Sequence, residues 1–129
     1  MIDLIFPWPP TSLSPNTRQH YQVLAKAKKA YRTACGWSAI EQGIGKIDAQ
    51  KLRVCLTFVP PNKRGFDLDN LLARMKSGLD GLADVLGVDD RNWKLEIDKA
   101  EPNTIGGMVK VRIEVLEVVS PMVSTGVGA

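Results

Sequence analysis

At 129 residues the chain fits one domain of the usual size, roughly 100–200 residues, and leaves no room for two. With 44% apolar and 24% charged residues it has an ordinary globular composition, and a net charge of +3 is too small to predict a nucleic-acid partner by itself. No apolar run approaches the roughly 20 residues that cross a bilayer, and the opening MIDLIFPWPP carries Asp3 and no basic segment, so neither a membrane anchor nor a signal peptide is expected.

The chain reads in order as follows. Residues 2–6 alternate as a short strand that ends at Pro7, and Trp8-Pro9-Pro10 stiffens the exit. Residues 11–16 read as loop. From about Thr17 to Gln42 there is no proline, and Val23, Ala27, Ala30, Ala34 and Trp37 recur at helical spacing, which predicts an amphipathic helix. Leu52, Val54, Leu56 and Phe58 alternate as a strand with one buried face, closed by Pro60-Pro61. A second helix runs to about Leu86 on a stripe of Leu71, Leu72, Met75, Leu79, Leu82 and Leu86, with Gly87 suited to its stop. Asp89 to Asn92 reads as a turn. Strands follow at Trp93–Asp98 and Val109–Leu116, separated by a loop over 101–107, and 119–129 reads as a frayed tail. The expected fold is therefore α+β: a single domain over 1–118, with helices packed on a mixed four-stranded sheet in the order β-α-β-α-β-β.

Charge is divided along the chain. Residues 1–64 hold ten basic and three acidic side chains, while residues 65–129 hold seven basic and eleven acidic. The basic residues Arg18, Lys26, Lys28, Lys29 and Arg32 cluster on the first helix with no acid between Asp3 and Glu41, and Lys63-Arg64 forms a basic loop. This pattern suits an anion grip, or simply a solvated helix face. Cys35 and Cys55 have no CxxC or Cys/His spacing, which points to free thiols in a reducing cytoplasm.

Chemistry concentrates between Phe66 and Asp90. If the chain is still extended at Asp67 and Asp69, their side chains share one face about 7 Å apart at the Cα, near enough to share a hard cation. The other reading is that the pair caps the second helix. Asp89-Asp90 would supply a third carboxylate if the helix returns the chain to the same end of the sheet; otherwise it is an ordinary turn. Asp69, Ala73, Lys76 and Asp80 form one helical stripe, so Lys76 would face the carboxylates. An EF-hand fails, because Leu72 and Gly78 fall where glycine and a bidentate Glu are needed, and zinc catalysis fails with His20 as the sole histidine. His20 reads as a phosphate contact or an idle surface residue. Trp8, Trp37 and Trp93 read as core or dimer contacts rather than base-stacking platforms.

Pro7-Trp8-Pro9-Pro10, Asp67-Leu68-Asp69-Asn70-Leu71 after a basic loop, Lys76 with Leu79-Asp80-Gly81-Leu82, and Val88-Asp89-Asp90 together resemble the RusA-type Holliday junction resolvases, over roughly residues 2–117. The resemblance implies a homodimeric, Mg²⁺-dependent endodeoxyribonuclease, with Mn²⁺ as a substitute, that makes paired nicks in four-way DNA junctions during recombination and repair. It implies Asp67, Asp69 and Asp90 as catalytic metal ligands, with Asp89 as a substitute for Asp90. Lys76 matches the family's active-site lysine when aligned on Leu79-Asp80, with three additional residues between it and Asp69, and Arg74 is a further cation nearby. Arg18, Lys26, Lys28, Lys29, Arg32, Lys63, Arg64 and Arg74 would then contact DNA. The competing expectations are a less selective nuclease for branched DNA and a non-catalytic DNA-binding module.

Overall fold

The computed structural model describes residues 1–15, 20–102 and 106–118. Six main elements appear in the expected order: β1 (Ile2–Pro7), α1 (Tyr21–Glu41), β2 (Ala49–Val59), α2 (Leu68–Leu86), β3 (Trp93–Lys99) and β4 (Met108–Val118). Two single 3-10 turns, Thr11–Leu13 and Asp90–Asn92, punctuate the connections. The expected tail, 119–129, lies outside the described residues.

The strands form one mixed sheet in the order β1-β4-β2-β3. Strand β4 runs antiparallel to both β1 and β2, whereas β2 and β3 are parallel, with Leu52 opposite Trp93 and Phe58 opposite Lys99. Parallel neighbours need a crossover, and α2 is that crossover. Alternation puts Leu4 and Phe6, Leu52, Val54, Leu56 and Phe58, and Val109, Val111 and Ile113 on one face, where they join Leu71, Met75, Leu79, Leu82 and Leu86 in the core. The opposite face is polar and laced with ion pairs, Arg112 to Asp3 at 2.7 Å and Arg53 to Glu96 and Glu114 at 2.9 Å each. The fold is thus α+β, two helices on one mixed sheet.

The stripe expected on α2 is the stripe observed, and Gly87 closes the helix in the left-handed conformation at φ 72°. The stripe expected on α1 is not. Val23, Ala30, Ala34 and Trp37 face outward, Trp37 at 60% exposure, and the buried face is Tyr31, Cys35, Gly36 and Ala39. Alanines carry little apolar weight, so they do not choose a face; Tyr31 does, by donating its hydroxyl to the Pro7 carbonyl at 2.7 Å. Of the other two tryptophans, Trp8 packs edge-on against Phe58 and Phe66, and Trp93 is half-buried against the core.

The helices meet at backbone contact. A Cβ on Gly81 would stand 2.2 Å from the Arg32 carbonyl oxygen, and one on Gly78 would stand 2.5 Å from the Tyr31 ring. Only glycine admits that approach, and it fixes the basic side of α1 alongside the acidic side of α2.

Candidate active site

Asp67 ends the extended backbone at φ −84° and ψ 126°, and helix α2 begins at the next residue. Its carboxylate Oδ1 accepts from the Asp69 N–H at 2.8 Å, so Asp67 is the N-cap and Asp69 lies in the first turn. The side-by-side placement expected of a strand therefore does not arise. Both carboxylates instead sit, exposed, at the positive end of the helix dipole. The preceding segment is pinned by Trp8 against the Phe66 ring and by Lys99, whose Nζ donates to the Phe66 carbonyl at 2.9 Å.

Two turns further along α2, the Lys76 ammonium is ion-paired with Asp90 and lies 3.4 Å from the Asp80 carboxylate. The hydrogen bond to Asp90, with Asp80 adding to it, raises the lysine pKa above its ordinary value. Asp89 does a different job. It caps the 3-10 turn by accepting from the Arg91 N–H at 3.0 Å, and that bond holds its carboxyl below the usual carboxylate range. Of the two adjacent acids, Asp90 is the one presented to Lys76.

The parallel pairing of β2 and β3 decides how these groups are distributed. Asp67 and Asp69 follow the C-terminal end of β2, while Asp90 precedes the first residue of β3, at the opposite end of the sheet. A helix that connects parallel strands must return the chain to the strands' starting end. The expected return to the Asp67 end is corrected accordingly: α2 carries the chain back to the starting end of the sheet, and the Asp90 carboxylate meets the helix at Lys76, two turns beyond Asp69. Among the described residues no three His, Cys, Asp or Glu side chains converge closely enough to hold a metal ion. The donor chemistry of Asp67 and Asp69 is nevertheless that of a hard cation site, exposed carboxylate oxygens of which, among the described residues, only Asp67 Oδ1 is engaged, in the cap.

Among the expected cations, Lys26, Lys28 and Lys29 are exposed on α1, and Lys63 and Arg64 are exposed in the loop before Phe66. Arg32 is exposed but tied to Asp84 through Nε at 2.9 Å and a second nitrogen at 2.7 Å. Arg74 is no surface contact: it is buried and donates to the Pro9 carbonyl at 2.6 Å. Arg18 lies outside the described residues. His20 caps α1, its Nδ1 accepting from the Gln22 N–H at 3.2 Å. Asp84 was not among the expected site residues; its spacing four residues after Asp80 is the signal that places it on the same helix face.

No family model matches the chain. It is similar to an uncharacterized protein of Xylella fastidiosa (strain Temecula1), 39% identical over 101 residues that make up 72% of this chain and 63% of that protein, so the chain spans less than two thirds of the relative's length.

Proposed function

We propose that the protein is a Mg²⁺-dependent structure-specific endodeoxyribonuclease of the RusA type that resolves four-way DNA junctions by paired nicks. The observation that carries this reading is Lys76 held against Asp90, because it brings together the lysine and the last aspartate of the motif set, fourteen residues apart in sequence. The cap and the helix dipole account for Asp67 and Asp69. They do not account for a third aspartate brought to a lysine on the same helix.

Asp67 and Asp69 would hold the ion, with Asp90 completing the set. Such an ion lowers the pKa of a bound water and neutralises a phosphoryl oxygen. Lys76 would stabilise the charge that develops on the scissile phosphate, and Lys26, Lys28, Lys29, Lys63 and Arg64 would follow the DNA backbone by charge, with little sequence readout. Since Asp90 meets α2 at Lys76, two turns beyond Asp69 and not at the Asp67 cap, the homodimer gains a second purpose. Besides placing two sites on two strands, it allows Asp90 of one protomer to serve the Asp67–Asp69 pair of the other.

Nicking of a synthetic four-way junction in Mg²⁺ tests the activity. Mixing inactive Asp69→Asn with inactive Asp90→Asn protein tests the shared site, which predicts partial recovery on mixing; no recovery would confine the three aspartates to one protomer. A second reading rests on the Asp67 cap itself: a DNA-binding module without catalysis, whose DNA affinity is salt-sensitive and indifferent to EDTA. A nuclease that cuts junction, fork and linear duplex at equal rates would be the less selective enzyme.

A further inference from the structure

Arg74 is the one charged side chain buried among the described residues, at 6% exposure. No ion pair there includes it. One terminal nitrogen donates to the Pro9 carbonyl at 2.6 Å and the guanidinium lies 6.0 Å from the Trp8 ring, but its Nε is shut from water with no acceptor. Burial pulls its pKa below the usual arginine range, yet arginine stays protonated in proteins, so a positive charge stands in the interior without a counter-charge. One helical turn away, the Ser77 hydroxyl is buried and equally unpartnered.

Both residues line a cavity of about 490 Å³ between the Leu13 turn, α1 and α2. Lys28 and Lys76 also line it, and its single carboxylate, Asp80, is already beside Lys76. Leu13, Leu24 and Ala73 supply apolar wall. Cationic side chains in excess, a buried hydroxyl without a partner, and an apolar wall match a phosphate group with part of its attached sugar.

We propose that this cavity is a phosphate subsite, in which Arg74 and Ser77, with Lys28 alongside, take a backbone phosphate of the bound DNA other than the scissile one, at a position distinct from the Asp67–Asp69 pair. The source of the phosphate rests on the nucleic-acid reading above. The chemistry of the pocket does not.

Two measurements on wild type and Arg74→Met test it. The first is the melting temperature in sodium phosphate against sodium chloride at matched ionic strength; general salting effects act on both proteins, and only wild type should gain an additional rise. The second is four-way junction affinity across salt without divalent metal, where the log–log slope should fall by about one in Arg74→Met. Lys28→Gln, on an exposed position, should reduce both responses in the same direction, which keeps the test open if Arg74→Met misfolds. An equal phosphate response in wild type and variants makes Arg74 a strut for the Pro9 carbonyl and overturns the proposal, as does an unchanged slope in a protein that binds DNA; a phosphate response in a wild type that binds no DNA rejects DNA as the source and leaves the phosphate pocket standing. A wild type that shows both responses but never nicks a junction rejects the nuclease and leaves the subsite standing.

Discussion

The ammonium of Lys76, mid-way along α2, is ion-paired with the carboxylate of Asp90, fourteen residues further on. Little in the fold requires it. The Lys76 side chain is 60% exposed, and pairs in that setting contribute about 0–1 kcal/mol to stability because water screens them. A contact that adds so little to folding is free to be selected for chemistry.

Lys76→Met should therefore cost less than about 1 kcal/mol in urea denaturation while lowering junction nicking at least about 100-fold. The pH dependence has a definite sign. Because the folded lysine pKa is raised, its contribution is fully present below the unfolded value, about 10.4, and is lost as pH rises through the folded one. The stability difference between wild type and Lys76→Met should thus be constant from pH 6 to 9 and shrink only in strong alkali; a difference that changes across neutral pH would show another group to be responsible.

Asp67 carries a cap and a proposed ligand in one side chain, and two substitutions separate them. Asp67→Ala removes both and should cost about 1 kcal/mol as well as nicking. Asparagine caps as well as aspartate, so Asp67→Asn should keep stability within a few tenths of a kcal/mol, by about the same scale, yet abolish Mg²⁺-dependent nicking while DNA binding persists.

The contact between α1 and α2 makes two glycines opposite in effect. At Gly81 a methyl would stand 2.2 Å from the Arg32 carbonyl oxygen, so Gly81→Ala should force the helices apart and destabilise by about 1–3 kcal/mol. At Gly36 the nearest atoms would be 3.7 Å and 3.8 Å away, and Gly36→Ala should gain up to about 1 kcal/mol from helix propensity. Urea midpoints of the two variants should move in opposite directions.

The two thiols should react at different rates. Burial pushes the Cys35 thiol up to about 12, whereas Cys55 lies half-buried on the sheet face away from the helices. An aromatic disulfide reagent at pH 8 should label Cys55 first and reach Cys35 only on unfolding; equal rates would show the α1 packing to be loose.

The sequence exposed the strands and α2 because their apolar residues are large and their periods unambiguous; Leu52 to Phe58 and Leu71 to Leu86 admit one buried face each. It misassigned the buried face of α1, where alanines outnumber large apolar residues and Tyr31 anchors by its hydroxyl. For the site, Asp67, Asp69, Lys76 and Asp90 stood out by spacing, but their separation did not, because it depends on β2 and β3 being parallel, a pairing that no local pattern encodes. The burial of Arg74 was hidden for a related reason: its partner, the Pro9 carbonyl, is sixty-five residues away.

The central claim is tested most directly by incubating the purified protein with a labelled four-way junction in Mg²⁺, alongside Asp67→Asn, Asp69→Asn and Asp90→Asn. Wild type should release paired nicks that EDTA abolishes, and each variant should bind the junction without cutting it. Intact junction with wild type in both Mg²⁺ and Mn²⁺, or cutting that survives in all three variants, would contradict the account.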